Sequence, residues 1–212
     1  ALPLVGIKSD FSNAINSGTS NKAITVSGAT ATSSFSNFYG GSYDFDGTND
    51  ALTFTISGGL GSGDFTIEYW VYQDTLTDYQ THFSSTRGST GFNVGTDGSG
   101  DFVWYSSSAR QIEIVGAITT GRWYHWAFVR SGSTITGYLD GVAKSSFSSS
   151  VDYSASAFSL GALDGSGEWT NGKFQDVRIY KGLAKYTSNF IPASTSPDIL
   201  PDTPSGVSGG SK

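Results

Sequence analysis

The sequence contains no cysteine, no methionine and only two histidines among its 212 residues. Without cysteine there is no disulfide and no thiolate metal ligand, so stability must come from packing. The two histidines, His82 and His125, lie too far apart in sequence to indicate a metal triad or a proton relay. No run approaches the roughly 18 apolar residues of a spanning helix, so we expect no membrane insertion.

Charge is also sparse. Lysine and arginine number 12 against 18 aspartates and glutamates, which gives a formal net charge of −6 and a pI of about 4.7. Because no basic stripe is available to dock a phosphate backbone, we do not expect nucleic acid as a partner. The glycine-rich phosphate loops of nucleotide-binding proteins are absent as well.

The sequence is rich in aromatic residues, which make up 14% of the chain. It is also rich in glycine, with 28 residues that show no three-residue period. Short runs alternate apolar and polar residues, as at Leu52, Phe54 and Ile56, which is the period of a β-strand. Turn pairs such as Asp140-Gly141 separate these runs. A helical spacing occurs only at residues 182–186, where it predicts a single helical turn. The pattern predicts an all-β protein, a two-sheet antiparallel sandwich.

Two runs have large apolar residues on both faces and are predicted to be central strands: residues 64–72, DFTIEYWVY, and residues 122–129, RWYHWAFV. In the first, either the face with Phe65 and Ile67 or the face with Glu68 points to the core, because one residue of register turns every side chain over. Both assignments stay open here. Three tryptophans of these runs are predicted to pack: Trp70, Trp123 and Trp126.

Residues 194–212, STSPDILPDTPSGVSGGSK, are rich in proline, serine and glycine and poor in large apolar side chains. We interpret them as a linker or tail behind one domain over residues 1–193. The lack of an initiating methionine favours a fragment or processed piece of a longer protein.

Three segments resemble a known family. Residues 42–56 read SYDFDGTNDALTFTI, residues 119–141 read TTGRWYHWAFVRSGSTITGYLDG, and residues 171–190 read NGKFQDVRIYKGLAKYTSNF. In order and spacing they resemble the laminin-G-like domains of the concanavalin A-like lectin/glucanase superfamily, of the type found in phage tail and virion appendage proteins.

That resemblance implies an antiparallel jelly-roll sandwich, often with a calcium ion on one rim, that serves in non-catalytic attachment. It implies an extracellular or virion-surface location. A glycan or cell-surface polysaccharide would then be the partner, together with other virion or appendage subunits where the domain acts in assembly.

Glycoside hydrolases share this fold, so catalysis is a candidate function. Retaining members place two glutamates and an aspartate at alternate positions of one strand, with carboxyl groups about 5 Å apart. Here Glu68, Glu113 and Glu168 are isolated from one another in sequence. We therefore expect no enzyme, and a glycoside hydrolase is the lesser alternative.

Calcium takes six to eight oxygen ligands, and turn aspartates supply candidates. The pentraxin relatives of this fold bind calcium through an Asp-Asn pair in one loop and acids in another. Asp164 stands where the second loop would be, whereas residues 85–91, STRGSTG, contain no acid. The alternative is that these aspartates are plain turn residues. The metal candidates are Asp164, Asp46, Asp50 and Asp176.

Sugar recognition by such scaffolds uses an exposed aromatic ring that stacks on a pyranose, with polar groups beside it. Trp169, in the glycine-rich stretch LDGSGEWTNG, is the preferred ring, and the alternative is that it covers the sandwich edge. A second cluster, with Tyr79, His82 and Arg87 in one loop and Trp104 and Tyr105 in a strand-like run, would border the same groove unless Trp104 or Tyr105 is core. The predicted ligand-binding residues are Trp169, Asp164, Asn171, Arg87, Glu168 and Tyr79.

These observations predict a non-catalytic carbohydrate-binding or host-attachment module. The competing prediction is a structural spacer or decoration domain that mediates protein assembly.

Overall fold

The structure is a computed structural model that describes residues 24–37, 41–86 and 88–192. Arg87 and the predicted tail at residues 194–212 lie outside the described residues. Within the described part no helix has the length and apolar character needed to cross a bilayer.

The alternating runs form strands, as their period requires. The fourteen strands of the described residues are β1 (Ile24–Ser27), β2 (Thr30–Thr32), β3 (Ser42–Asp46), β4 (Ala51–Thr55), β5 (Phe65–Gln73), β6 (Gln80–Ser85), β7 (Phe92–Thr96), β8 (Phe102–Ser106), β9 (Ala109–Ile114), β10 (Trp123–Ser131), β11 (Thr134–Leu139), β12 (Val142–Ser148), β13 (Ala157–Leu160) and β14 (Asn171–Lys181).

These strands make two sheets of seven. Sheet A has the order β1-β4-β13-β6-β7-β8-β9, and sheet B has the order β12-β11-β10-β5-β14-β3-β2. Every pairing is antiparallel, and the crossovers between non-consecutive strands give the jelly-roll arrangement. The predicted fold class, an all-β two-sheet antiparallel jelly roll, is confirmed.

The core lies between the sheets and is dominated by aromatic rings in contact. Phe102 of sheet A stacks on Trp126 of sheet B with ring centroids 3.7 Å apart. Phe65 and Ile67 of β5 are fully buried in this core. The register left open by the sequence is therefore settled, and Glu68 points away from the core on the outer face of sheet B.

The outer face of sheet B is covered by residues 182–192, which we call the C-terminal strap. Tyr186 and Phe190 of the strap stack at 3.5 Å and pack near Tyr138 of β11. The expectation of a helical turn at residues 182–186 is wrong, because the chain turns at Gly182 and then runs without helical hydrogen bonding. The strap is held at its end by a hydrogen bond from the Phe190 amide to the Gly141 carbonyl, 2.8 Å.

The Asp140-Gly141 turn joins β11 to β12 as predicted, with φ of 49° and 78° at its two residues. Both values suit a tight two-residue hairpin, and glycine adopts them readily. A Cβ at Gly141 would lie 1.9 Å from the Phe190 carbonyl oxygen. Glycine at this position therefore allows both the turn and the close approach of the strap.

Candidate functional site

Sheet A carries a row of polar side chains on its outer face, one from each strand. The residues next to them in sequence, such as Leu52, Phe83 and Trp104, fill the core. Because successive side chains of a strand point to opposite faces, the polar residues point outward. Successive members are paired across the strands. We call this set the polar row: Thr25, Thr53, Ser159, Ser84, Asn93, Tyr105 and Arg110.

At one end of the polar row lies a cavity of about 340 Å³, which we call the tyrosine cavity. Its walls combine two tyrosine rings with amide, hydroxyl and carboxylate groups, the mixture typical of small-ligand sites. It is lined by Tyr79, Gly88, Gly91, Phe92, Asn93, Tyr105, Ser106, Ser107, Ser108 and Glu168.

Hydrogen bonds hold the two tyrosines in place. Arg110 donates from Nε and Nη2 to the Tyr105 hydroxyl oxygen, at 3.0 and 2.9 Å. A hydrogen bond with Tyr105 raises the pKa of Tyr79, whose side chain is 44% exposed. Arg110 is itself paired with Glu113 and lies 3.8 Å from an Asp97 oxygen. The exposed ring of Tyr79 is thus linked to a charged network that restricts its movement.

The backbone beside this cavity holds several residues in the left-handed region. Ser107 and Ser108 form the β8–β9 turn with φ of 50° and 61°, and Asp78 before Tyr79 has φ of 63°. Such conformations are costly for residues other than glycine and concentrate at functional sites. Asparagine and glycine suit such a turn better than two serines do. The unusual serine pair is therefore a signal that the sequence itself contains.

Glu168 reaches the tyrosine cavity from residues 161–169, which we call the acidic loop. The Thr81 hydroxyl donates to Glu168 Oε2 at 2.8 Å, and the Thr81 amide donates to the Glu168 carbonyl at 2.7 Å. Glu168 has φ of 46°. These contacts fix the carboxylate at the wall of the cavity.

A second cavity, of about 480 Å³, lies over the other half of the polar row. The acidic loop contributes Asp164, whose amide donates to the Ser84 hydroxyl at 3.2 Å. We call this space the hydroxyl cavity. It is lined by Thr25, Thr53, Phe54, Thr55, Ser84, Ser85, Thr86, Ala157, Phe158, Ser159 and Asp164.

The predicted sugar-binding residues are divided among different places. Tyr79 and Glu168 meet in the tyrosine cavity, whereas Asp164 lines the hydroxyl cavity. Asn171 begins β14 opposite Asp46, and its side chain lies beside the Gly47 backbone. Arg87 is outside the described residues.

The stacking role of Trp169 stays a prediction. Trp169 is half-buried and lines neither cavity. The backbone on both sides of it is tied down, since the Thr170 amide donates to the Gly161 carbonyl at 2.8 Å and the Thr170 hydroxyl to the Thr81 carbonyl at 2.7 Å. A glycine-rich sequence suggested an open loop, but long-range hydrogen bonds pin it to β6.

The second predicted cluster also separates. Trp104 is fully buried and Tyr105 points outward, which confirms that one of the two is core. His82 faces the interior beside Tyr69, 3.2 Å from its hydroxyl, and burial lowers the pKa of His82 to about 3. His82 therefore does not border the groove. Asn93 was missed because nothing in the sequence shows which strands are neighbours.

The packing assigned to the three tryptophans of β5 and β10 is found. Trp70 and Trp126 are buried. Trp123 is half-buried, and its ring lies 5.7 Å from Tyr72 and 6.0 Å from Phe35.

The four predicted calcium ligands are not brought together. Asp50 accepts a hydrogen bond from the Asp46 amide at 2.7 Å within one turn, while Asp164 lies on the outer face of sheet A. Asp176 is buried on sheet B and accepts from Arg178 Nε at 2.6 Å, although burial raises the pKa of Asp176. These aspartates therefore do not fit one calcium ion.

Among the described residues, one group of three acids does lie within 4.8 Å: Asp97, Asp101 and Glu113. Its carboxylates already have partners, because Asp97 accepts from the Asp101 amide at 3.1 Å and Glu113 pairs with Arg110. Calcium binding stays a prediction, which thermal melting with calcium and with a chelator tests.

Glu68, one of the isolated glutamates, is fully buried under the C-terminal strap. It accepts from Lys185 Nζ at 2.5 Å and from the Tyr186 hydroxyl at 2.7 Å. Burial alone would raise the pKa of Glu68, but the hydrogen bond and charge of His125 and the charge of Lys185 outweigh it and lower the pKa to about 2. The group is a buried structural carboxylate in this conformation.

Comparisons with solved structures find sandwiches of the same fold. Domain 4 of AbnA, an extracellular arabinanase from Geobacillus stearothermophilus solved with arabinotriose, aligns over 76% of this chain and 82% of its own, with a TM-score of 0.59 and 20% identity. The binding domain of botulinum neurotoxin serotype D aligns over 76% of this chain, with a TM-score of 0.58 and 12% identity. A Trypanosoma rangeli sialidase aligns over 66%, with a TM-score of 0.53 and 15% identity.

This chain covers 44% of the neurotoxin domain and 25% of the sialidase. A search of curated protein sequences found no match. The laminin G model of the concanavalin A-like lectin/glucanases superfamily matches residues 46–185, more than half of the chain. Together with the two seven-stranded antiparallel sheets, this match shows that the chain belongs to the concanavalin A-like lectin/glucanases superfamily.

Proposed function

We propose that this protein is a non-catalytic carbohydrate-binding module whose site is the tyrosine cavity. The observation that carries the proposal is an exposed aromatic ring, Tyr79, at a polar cavity beside Asn93 and Glu168. Sugar rings present an apolar face and a rim of hydroxyl groups, and this cavity offers a partner for each.

Binding would proceed by stacking and hydrogen bonding. The Tyr79 ring packs on the apolar face of a sugar, the Asn93 amide both donates and accepts, and the Glu168 carboxylate accepts from a hydroxyl. Thr81 already holds Glu168, and Arg110 holds Tyr105, the hydrogen-bond partner of Tyr79, so these side chains lose little freedom on binding.

Solved structures of the same fold include complexes with sugars. AbnA domain 4 is in complex with arabinotriose, and the binding domain of botulinum neurotoxin DC, with a TM-score of 0.60 and 10% identity, is in complex with SialylT. They support carbohydrate as the ligand class. The absence of catalysis is part of the proposal, and it is supported by the pairing of Glu68 with Lys185 beneath the strap.

We further propose that the domain serves attachment at the surface of a cell or virion, as part of a longer extracellular or appendage protein. A single shallow site binds weakly, and repeated copies in an assembly raise the overall affinity. If assembly itself is the function, a stable oligomer that hides the tyrosine cavity is expected, and a size measurement by light scattering distinguishes the two.

A glycan array tests the proposal. Binding of at least one glycan class is expected for the parent protein, and Tyr79→Ala should lose tenfold or more in affinity. The matched control is Val115→Ala, which truncates an exposed side chain away from the cavity. No binding above background, or equal binding by parent and Tyr79→Ala, rejects the site. Release of reducing sugar from a bound polysaccharide would instead favour a hydrolase.

A further inference from the structure

We propose that one extended oligosaccharide binds across both cavities of sheet A, with the hydroxyl cavity acting as a second subsite. The inference rests on the proposed function, since it assigns a chain-length preference to the same face. It goes further because it gives a role to the hydroxyl cavity, which a single-sugar site leaves unused.

The polar row provides the length. Its register pairs run from Thr25 on β1 to Tyr105 on β8; Ser84 and Ser159 in the middle are buried beneath the acidic loop, and the members on either side reach the surface. Five strand intervals separate these two residues, and at about 4.8 Å per interval they span roughly 24 Å. That length accommodates several sugar units, whereas either cavity alone does not extend across the sheet.

The two cavities share their borders. The acidic loop places Asp164 in the hydroxyl cavity and Glu168 in the tyrosine cavity. On another side, Thr86 lines the hydroxyl cavity and Gly88 lines the tyrosine cavity, so the same β6–β7 connection borders both. The cavities are therefore two lobes on one face, separated near β6.

The hydroxyl cavity presents polar groups that a sugar can reach. Thr25, Thr55, Thr86 and Asp164 are all exposed and line it. Hydroxyl groups both donate and accept, and a carboxylate accepts, which matches the alternating demands of sugar hydroxyls. No exposed aromatic residue lines this lobe among the described residues, so it should add affinity only when the tyrosine cavity holds the neighbouring sugars.

The acidic loop lies close over the sheet between the lobes. Gly165, with φ of 70°, would bring a Cβ to 3.0 Å from Thr53 Cγ2. A larger residue would be strained at this positive φ and would crowd Thr53. Glycine here lets the acidic loop lie close to the sheet, so that a sugar chain can pass over the loop from one cavity to the other.

Calorimetry with oligosaccharides of one to six units from arabinan, β-1,4-glucan and galactan tests the inference. For whichever series binds, we expect one chain per protein and an affinity at least tenfold higher for six units than for two. Ala157→Phe, at an exposed position of the hydroxyl cavity, should remove that gain and leave the two-unit affinity within twofold of the parent. Thr55→Phe in the same lobe is the second variant.

The control is Val142→Phe, which adds a ring at an exposed strand position of sheet B. Melting curves check that each variant folds. Binding without a length dependence, two short chains per protein, or equal loss of short and long chains in Ala157→Phe overturns the inference and leaves the proposed function standing. No binding by any series, together with no binding on the glycan array, overturns both.

Discussion

At the scale of single residues, Arg110 and Arg122 each contact a tyrosine and a carboxylate, but at different places in the fold. Arg110 bonds the hydroxyl of Tyr105 at the tyrosine cavity, whereas the Arg122 guanidinium lies 4.0 Å from the Tyr124 ring centre and pairs with Asp140 on the other sheet. Both are arginine–tyrosine–carboxylate groups. Only the first touches a residue that lines the proposed site.

Arg110→Met is therefore expected to weaken glycan binding about tenfold, because Tyr105 and Tyr79 lose the contact that orients them. Arg122→Met is the matched control and should leave affinity unchanged. Calorimetry with the best glycan from the array measures both. Equal effects of the two substitutions would mean that Arg110 acts through general charge and does not position the tyrosines.

At the scale of elements, the C-terminal strap is the segment whose role depends most on distant parts of the chain. Lys185 and Tyr186 bring two partners to Glu68 on β5, which is fully buried. A buried carboxylate needs such partners, because its desolvation costs several kcal/mol. The strap is thus part of the domain and cannot be removed as a tail.

Lys185→Met should lower the free energy of unfolding by about 3–5 kcal/mol, since it leaves Glu68 buried beside a neutral side chain. Denaturant unfolding measures the change. Lys144→Met, at an exposed position on β12, is the control and should change stability by less than about 0.5 kcal/mol. The double variant Glu68→Gln/Lys185→Met should recover much of the loss. Additive losses would show that the two residues are not coupled.

At the scale of the whole molecule, the lowered pKa values of two buried groups, His82 and Glu68, make the fold less stable in acid. Burial lowers the pKa of His82 to about 3 from an ordinary value of 6.5, and His125 and Lys185 lower that of Glu68 to about 2 from 4.5. Both groups bind a proton less readily in the folded chain than in the unfolded chain. Their contribution is complete above the unfolded values and is lost as the pH falls towards the folded values.

The melting temperature is therefore expected to be steady near pH 7 and to fall progressively below about pH 6.5. In this window one proton on His82 changes stability by about 1.4 kcal/mol per pH unit. His82→Phe should flatten the profile between pH 6.5 and 5, whatever its effect on absolute stability. A profile of unchanged slope in that variant would assign the acid sensitivity to other groups.

Much of the fold could be predicted from local patterns. Alternation at Leu52 and Phe54 predicted a strand, Asp140-Gly141 predicted a hairpin turn, and both are found, because each depends on a few consecutive residues. The candidate site was predicted only in part. Tyr79 and Glu168 do share a cavity, but Trp169 and Asp164 do not join them there.

By itself the sequence determined the all-β architecture, the turn positions and the absence of disulfides, since these follow from the side-chain period, the backbone freedom of glycine and composition. The tertiary structure alone decided that Tyr79 meets Asn93 and Tyr105, and that Glu68 meets Lys185. These neighbours come from strand order and register, which are set by the packing of the whole core and are not encoded in any short segment.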